Sequence, residues 1–209
     1  MSAAKRSRGR LIAVEGIDGS GKSTFVRALG ARLRRQGWKV ALRREPADRT
    51  LGALAQSASL DDPWVGGIYF TLDRWIARSR LEADLAAHDL VLTDRSFYST
   101  LAYQGSALAR ARQRRLARLQ RIATLRPDRV ILLDMPPSDA LRRVGGRARG
   151  REPLERAAVL RRVAGAYRRL ATGPGWIVVD ARRSTTISVG TALARMARWL
   201  GPPPRRQRT

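Results

Sequence analysis

The stretch Leu11-Ile12-Ala13-Val14-Glu15-Gly16-Ile17-Asp18-Gly19-Ser20-Gly21-Lys22-Ser23-Thr24 joins a short apolar run to a glycine-rich turn. Beyond it Phe25, Val26, Leu29 and Leu33 recur at helical spacing, so the local order is strand, loop, helix. Gly16 to Ser23 fits G-x-x-x-x-G-K-[ST], and a strand before with a helix after is the context that gives this pattern meaning. Glycines let backbone N–H groups converge on phosphates, and the helix N-terminus adds a partial positive charge. Lys22 offers a point charge to β- and γ-phosphates, while the Ser23 hydroxyl is placed to ligate magnesium. The candidate nucleotide-binding residues are therefore Gly16, Ile17, Asp18, Gly19, Ser20, Gly21, Lys22, Ser23 and Thr24. The pattern implies a nucleotide and leaves the acceptor open, because GTPases, motors and small-molecule kinases share it.

Working outward, Gly37 stops the helix and Trp38 to Leu42 is expected as a second strand, ending at Arg44-Glu45-Pro46. A helical stretch over Pro63 to Ala87 leads to a third strand, Leu90 to Thr93. Val130 to Leu133 and Trp176 to Val179 are further continuous apolar runs. Runs without alternation are the mark of parallel strands buried on both faces. Five strands alternating with helices predict one doubly wound α/β domain with a five-stranded parallel sheet flanked by helices. Its expected extent is residues 11–200, with basic, Pro/Gly-punctuated and disordered tails at 1–10 and 201–209.

Composition narrows the chemistry. Zero cysteines and the single histidine, His88, exclude disulfides, thiolate metal sites and histidine clusters. No run approaches the roughly 18 apolar residues of a membrane span, so a soluble, cytoplasmic protein without a membrane partner is expected. The formal charge is +25, yet lysine stands only at Lys5, Lys22 and Lys39. The arginines are spread along the chain, a pattern that a general arginine preference explains at least as well as a nucleic-acid stripe. No specific nucleic acid is expected, and a nucleic-acid-binding ATPase is an alternative supported by net charge alone.

Asp94-Arg95 follows the third strand, at the carboxyl end of the sheet where such folds bind ligands. The segment Asp94-Arg95-Ser96-Phe97-Tyr98-Ser99-Thr100-Leu101-Ala102-Tyr103-Gln104-Gly105 resembles the D-R-x-x-x-S-x-x-A-Y-Q-G of thymidylate kinases. V-E-G-I-D-G-S-G-K-S from Val14, R-E-P at Arg44, F-x-x-D-R at Phe70, L-L-D-x-P-P at Leu132 and V-V-D-A at Val178 fall in the same family's order. The resemblance implies ATP as donor, Mg2+ as cofactor and thymidine monophosphate as acceptor, and leaves room for a homodimer. It implies that Asp18 contacts the sugar 3′-hydroxyl, Arg44 and Arg95 the acceptor phosphate, and that Phe70 stacks on thymine. Arg74, Thr100 and Gln104 would bond the base edge, Tyr103 would close on the sugar, and Asp94 would help arrange the metal with Ser23. Where the family has Gly-Gly-Thr after the proline, this chain has Ala47-Asp48-Arg49-Thr50. Asp94-Arg95-Ser96 with Glu45-Pro46 also resembles deoxynucleoside kinases, which keeps a nucleoside acceptor open, as it does another nucleoside monophosphate kinase of the P-loop class.

Arg142 to Arg151 reads R-R-V-G-G-R-A-R-G-R, and the resemblance implies a short basic lid here that brings Arg147, Arg149 and Arg151 to the transferring phosphoryl group beside Lys22, Arg95 and Asp94. A phosphate acceptor is already anionic at neutral pH, its second pKa being near 6, so no general base is required. A nucleoside hydroxyl would need one, and Glu45 is the candidate.

Overall fold

The structure, a computed structural model, describes residues 8–144 and 153–204. Five strands form one parallel sheet, β1 (Arg10–Glu15), β2 (Val40–Arg44), β3 (Leu90–Asp94), β4 (Arg129–Asp134) and β5 (Trp176–Asp180), in the order β2-β3-β1-β4-β5. The order reverses at β1, which pairs with β3 on one side and β4 on the other. On one face Ile12 and Val14 pack with Phe25, Leu29 and Leu33 of α1 (Lys22–Arg35), Tyr167 of α7 (Pro153–Leu170) and Met196 of α8 (Thr185–Leu200). On the other, Leu11 and Val91 meet Leu85 of α3 (Pro63–Ala87). The remaining α-helices among the described residues are α2 (Arg49–Asp61), α4 (Phe97–Tyr103), α5 (Arg110–Ala123) and α6 (Pro137–Val144). The single doubly wound domain expected from the apolar runs is what the chain forms.

Boundaries move where backbone groups find other partners. The second strand begins two residues later than expected because the Trp38 N–H donates to Leu33 O at 3.1 Å and the Lys39 N–H to the Asp89 carboxylate at 2.7 Å. Arg10, placed by sequence in the tail, opens β1 instead. Its guanidinium donates to the carbonyls of Trp199 and Leu200 at 2.8 and 3.0 Å and sits 4.6 Å from the Trp199 ring centroid and 5.1 Å from that of Trp38. Such placement over indoles is a cation–π contact.

Helix α2 had no counterpart among the expected elements. Its arginine, glycine and alanines show little periodicity, and only Gly52 and Ala55 are buried. Capping starts it: Asp48 accepts from the Leu51 N–H at 2.8 Å, as an N-cap aspartate does. The segment that departs from the family pattern is then held by α3, whose Asp73 accepts from the N–H groups of Ala47 and Asp48 at 2.9 and 2.8 Å.

Candidate active site

The loop between β1 and α1 is built from backbone. Gly16, Gly19 and Gly21 have φ of 149°, 88° and 87°, values that only glycine adopts without strain. A Cβ on Gly16 would lie 2.7 Å from Ser20 Oγ and 2.8 Å from Leu133 O. The first N–H groups of α1 have no intrahelical partner, and its N-cap, Gly21, supplies no side chain to them. Ser20 Oγ is buried with no hydrogen-bond partner among the described residues. A cradle of free donors with an orphaned hydroxyl suits a polyphosphate.

Lys22 is buried, and its ammonium donates to the carbonyls of Gly16 and Ile17 at 2.9 and 3.0 Å. Burial, aided by the charge of Arg95, lowers it to about 8, although Asp18, Asp94 and Glu15 pull the other way. Ser23 Oγ donates to Asp94, which brings a hydroxyl and a carboxylate together at the end of β3. Hard oxygen donors of this kind fit Mg2+, which takes its other ligands from water and phosphate. Thr24 is exposed on the first turn of α1.

Strand register assembles the side where the acceptor is expected. Arg44 of β2 and Val14 of β1 both pair with Asp94 of β3, so three neighbouring strand ends deliver Arg44, Asp94 and the start of the phosphate loop to one edge. Arg95 follows in the left-handed region, φ 79°, with its N–H on Val14 O at 3.0 Å. From there its guanidinium bonds Asp18, donates to Ser99 Oγ at 3.2 Å and lies 5.4 Å from the Tyr103 ring centroid. Tyr103 Oη accepts from the Asp18 N–H at 2.9 Å. Burial disfavours the charge of Asp18, but Arg95 and then Lys22 outweigh it and hold the carboxyl below its ordinary value. Asp18, Arg95 and Tyr103, selected from distant segments, are thus in direct contact.

Arg74 is the most heavily bonded of the expected residues. Its Nε donates to Glu45 at 2.6 Å, Nη1 to Thr100 Oγ1 at 2.9 Å, Phe70 O at 3.2 Å and Gln120 Oε1 at 3.4 Å, and Nη2 to Ser96 O at 3.1 Å. Burial pushes the Glu45 carboxyl up to about 7 against the pull of Arg74. A cleft of about 430 Å³ opens here, lined by Arg44, Glu45, Arg74, Asp94, Ser96 and Phe97 among others. Thr100 reaches Arg74, while Gln104 turns to Ser59 Oγ at 3.1 Å. Phe70, Thr100, Tyr103 and Gln104 do not line that cleft. Arg147, Arg149 and Arg151 lie outside the described residues; Arg142, at the end of α6, bonds Asp139 at 2.6 Å.

Glu15 carries no role in the sequence reading. It is fully buried, and accepts from the Ser96 N–H at 2.8 Å, Ser96 Oγ at 2.7 Å, Ser99 Oγ at 2.7 Å and Tyr167 Oη at 2.8 Å. Ser99 in turn receives Arg95, so one carboxylate ties the end of β1 to α4, to α7 and to Arg95. Only its place at the end of an apolar strand beside the glycines hinted at this, since a buried carboxylate needs several donors.

Comparison with known proteins agrees with this geometry. Residues 14–190 match the family described as Thymidylate kinase. The chain is 36% identical to the probable thymidylate kinase of Methanothermobacter thermautotrophicus over 84% of its own length and 88% of the relative's. It is 35% identical to that of Thermococcus onnurineus, covering 77% and 83%, and 34% identical to that of Pyrobaculum aerophilum, covering 82% and 88%. The chain belongs to the thymidylate kinase family and, with it, to the P-loop kinases that act on nucleotides.

Proposed function

We propose that the protein transfers the γ-phosphoryl group of ATP to thymidine monophosphate, giving thymidine diphosphate and ADP. The observation that carries this is the meeting of Arg44, Asp94 and the phosphate loop across three strand ends, with Arg95 bound to Asp18 beside them. Two arginines within reach of a phosphate loop favour an acceptor that is itself a dianion. Its oxygen needs no proton removed at neutral pH, so the residues need only position it and neutralise charge. Lys22 and the loop N–H groups would hold the donor phosphates, and charge spreading onto the phosphoryl oxygens would meet the same groups. Mg2+, held through Ser23 and Asp94, would add the Lewis acidity and bridging charge that phosphoryl transfer draws on.

Glu45 bears on the alternative. As the candidate base for a nucleoside hydroxyl it would have to turn a carboxylate oxygen to that hydroxyl, and Oε2 is already engaged by Arg74 at 2.6 Å. That favours the phosphate acceptor. Pairing with a second copy is part of the same proposal, supported by the exposed row Val65, Ile68, Leu72 and Ile76 on α3, and sedimentation equilibrium tests it. The deciding experiment is magnesium-dependent ADP release over a panel of nucleosides and monophosphates. Thymidine monophosphate is expected to be turned over fastest, with deoxyuridine monophosphate weaker by roughly 10 to 200-fold because it lacks one methyl. Equal or faster turnover of thymidine overturns the proposal in favour of a nucleoside kinase.

A further inference from the structure

Gln120 lies on α5, a helix otherwise dominated by exposed arginines, and is completely buried. A buried amide is costly unless both ends are bonded, and here the partners fix which way it points. Thr71 Oγ1 donates its one proton to Gly67 O at 2.7 Å. That oxygen can then only accept, and it takes the Gln120 Nε2 donor. The amide oxygen is left facing Arg74 Nη1 at 3.4 Å. A chain of bonds therefore runs from the backbone of α3 through Thr71 and Gln120 to the guanidinium, on the side opposite Glu45.

We infer that Gln120, oriented by Thr71, is a positioning residue for acceptor recognition: with Glu45 it brackets Arg74 so that a single guanidinium N–H remains for the acceptor base. The inference rests on the thymidine monophosphate reading above. A guanidinium has five N–H donors and no acceptor. Nε is taken by Glu45, both Nη1 hydrogens are shared among Phe70, Thr100 and Gln120, and one Nη2 hydrogen goes to Ser96. The plane of the fork is thereby held, and the direction of its remaining N–H with it. A donor aimed in a fixed direction donates to a base carbonyl and rejects an amino group, which distinguishes the O4 of thymine from the N4 amino group of cytosine. Gln120 would act through Arg74 without touching the nucleotide.

The test is steady-state kinetics of Gln120→Met and Thr71→Val alongside wild type, with thymidine and deoxycytidine monophosphates as acceptors. The expected result is a rise of roughly 10-fold in acceptor KM for Gln120→Met, as misplacement of a recognition group produces, and a smaller rise in the same direction for Thr71→Val. The KM for ATP and the kcat stay within two-fold, and the preference for thymine over cytosine narrows. Acceptor KM and base preference that stay within two-fold of wild type, whether or not the melting temperature falls, overturn the inference and leave Gln120 as packing. Should Gln120→Met fail to fold, Thr71→Val decides by the same criteria. If wild type prefers another monophosphate, the substrate reading fails by itself, and the KM comparison is made with that monophosphate.

Discussion

The phosphate loop and the acceptor bracket solve similar problems by different means. In the loop, the proposed recognition belongs to backbone N–H groups, shaped by glycines that stand within six residues of one another. In the bracket it belongs to one side chain held by Glu45, Phe70, Ser96, Thr100 and Gln120, from separate segments of the chain. A backbone site is specified by local sequence and keeps its shape when a side chain is removed. A side-chain site exists only after the fold has brought its supports together, so stability and function are entangled there.

The sharpest way to break this contrast is Lys22→Met. Turnover should fall by roughly 10²–10³-fold, the scale for deleting one preorganised charge-stabilising group, while folding should not suffer. The sign follows from the titration. The Lys22 ammonium falls from 10.5 to about 8 on burial, so the cation costs the folded state about 3 kcal/mol at neutral pH. That cost is full below pH 8 and fades as pH rises towards 10.5. Lys22→Met should therefore melt no lower than wild type at pH 7, and a large drop would place the lysine in the scaffold.

Arg74→Lys should behave oppositely. An ammonium cannot reproduce a planar fork held by five partners, so acceptor kcat/KM should fall by about 10²-fold and the melting temperature by several degrees together. Loss of activity at unchanged stability would make the bracket as separable as the loop. The smallest effect is a proton. Between pH 8 and 9 the ligand-free Lys22 is partly neutral, and an arriving polyphosphate raises its pKa again, so ATP binding should take up a fraction of a proton. Calorimetric enthalpies in two buffers of different ionisation heat measure it, and equal enthalpies would deny the coupling.

The same contrast explains what could be read before folding. The phosphate loop, the sheet and the helix over Pro63 to Ala87 were legible because periodicity and glycine spacing are local quantities. Asp18, Arg95 and Tyr103 were legible through motif resemblance, and their contacts follow from parallel register at Val14, Arg44 and Asp94. Helix α2 was not, because a capping Asp48 and a carboxylate from α3 make it, with little apolar pattern. Nor were Glu15 and Gln120. A glutamate closing a strand and a glutamine in an arginine-rich helix look like surface residues, and only their burial gives them partners across 81 and 46 positions of chain.

The placement of β1 sets an order of events during synthesis. The strand that carries the phosphate loop emerges first, yet it is the middle of the sheet and needs β3 and β4 on its two edges. At translation speeds of about 5–20 residues per second, the 119 positions between Glu15 and Asp134 correspond to roughly 6 to 24 s. For that interval the nascent chain carries a strand with an unfilled ladder edge, a state prone to wrong pairing. The Arg10 clamp closes later still, since Trp199 stands 189 positions downstream. A local motif thus sits on a strand whose contacts reach far along the chain, and chaperone protection of the nascent amino-terminal half would act on β1 before any other strand.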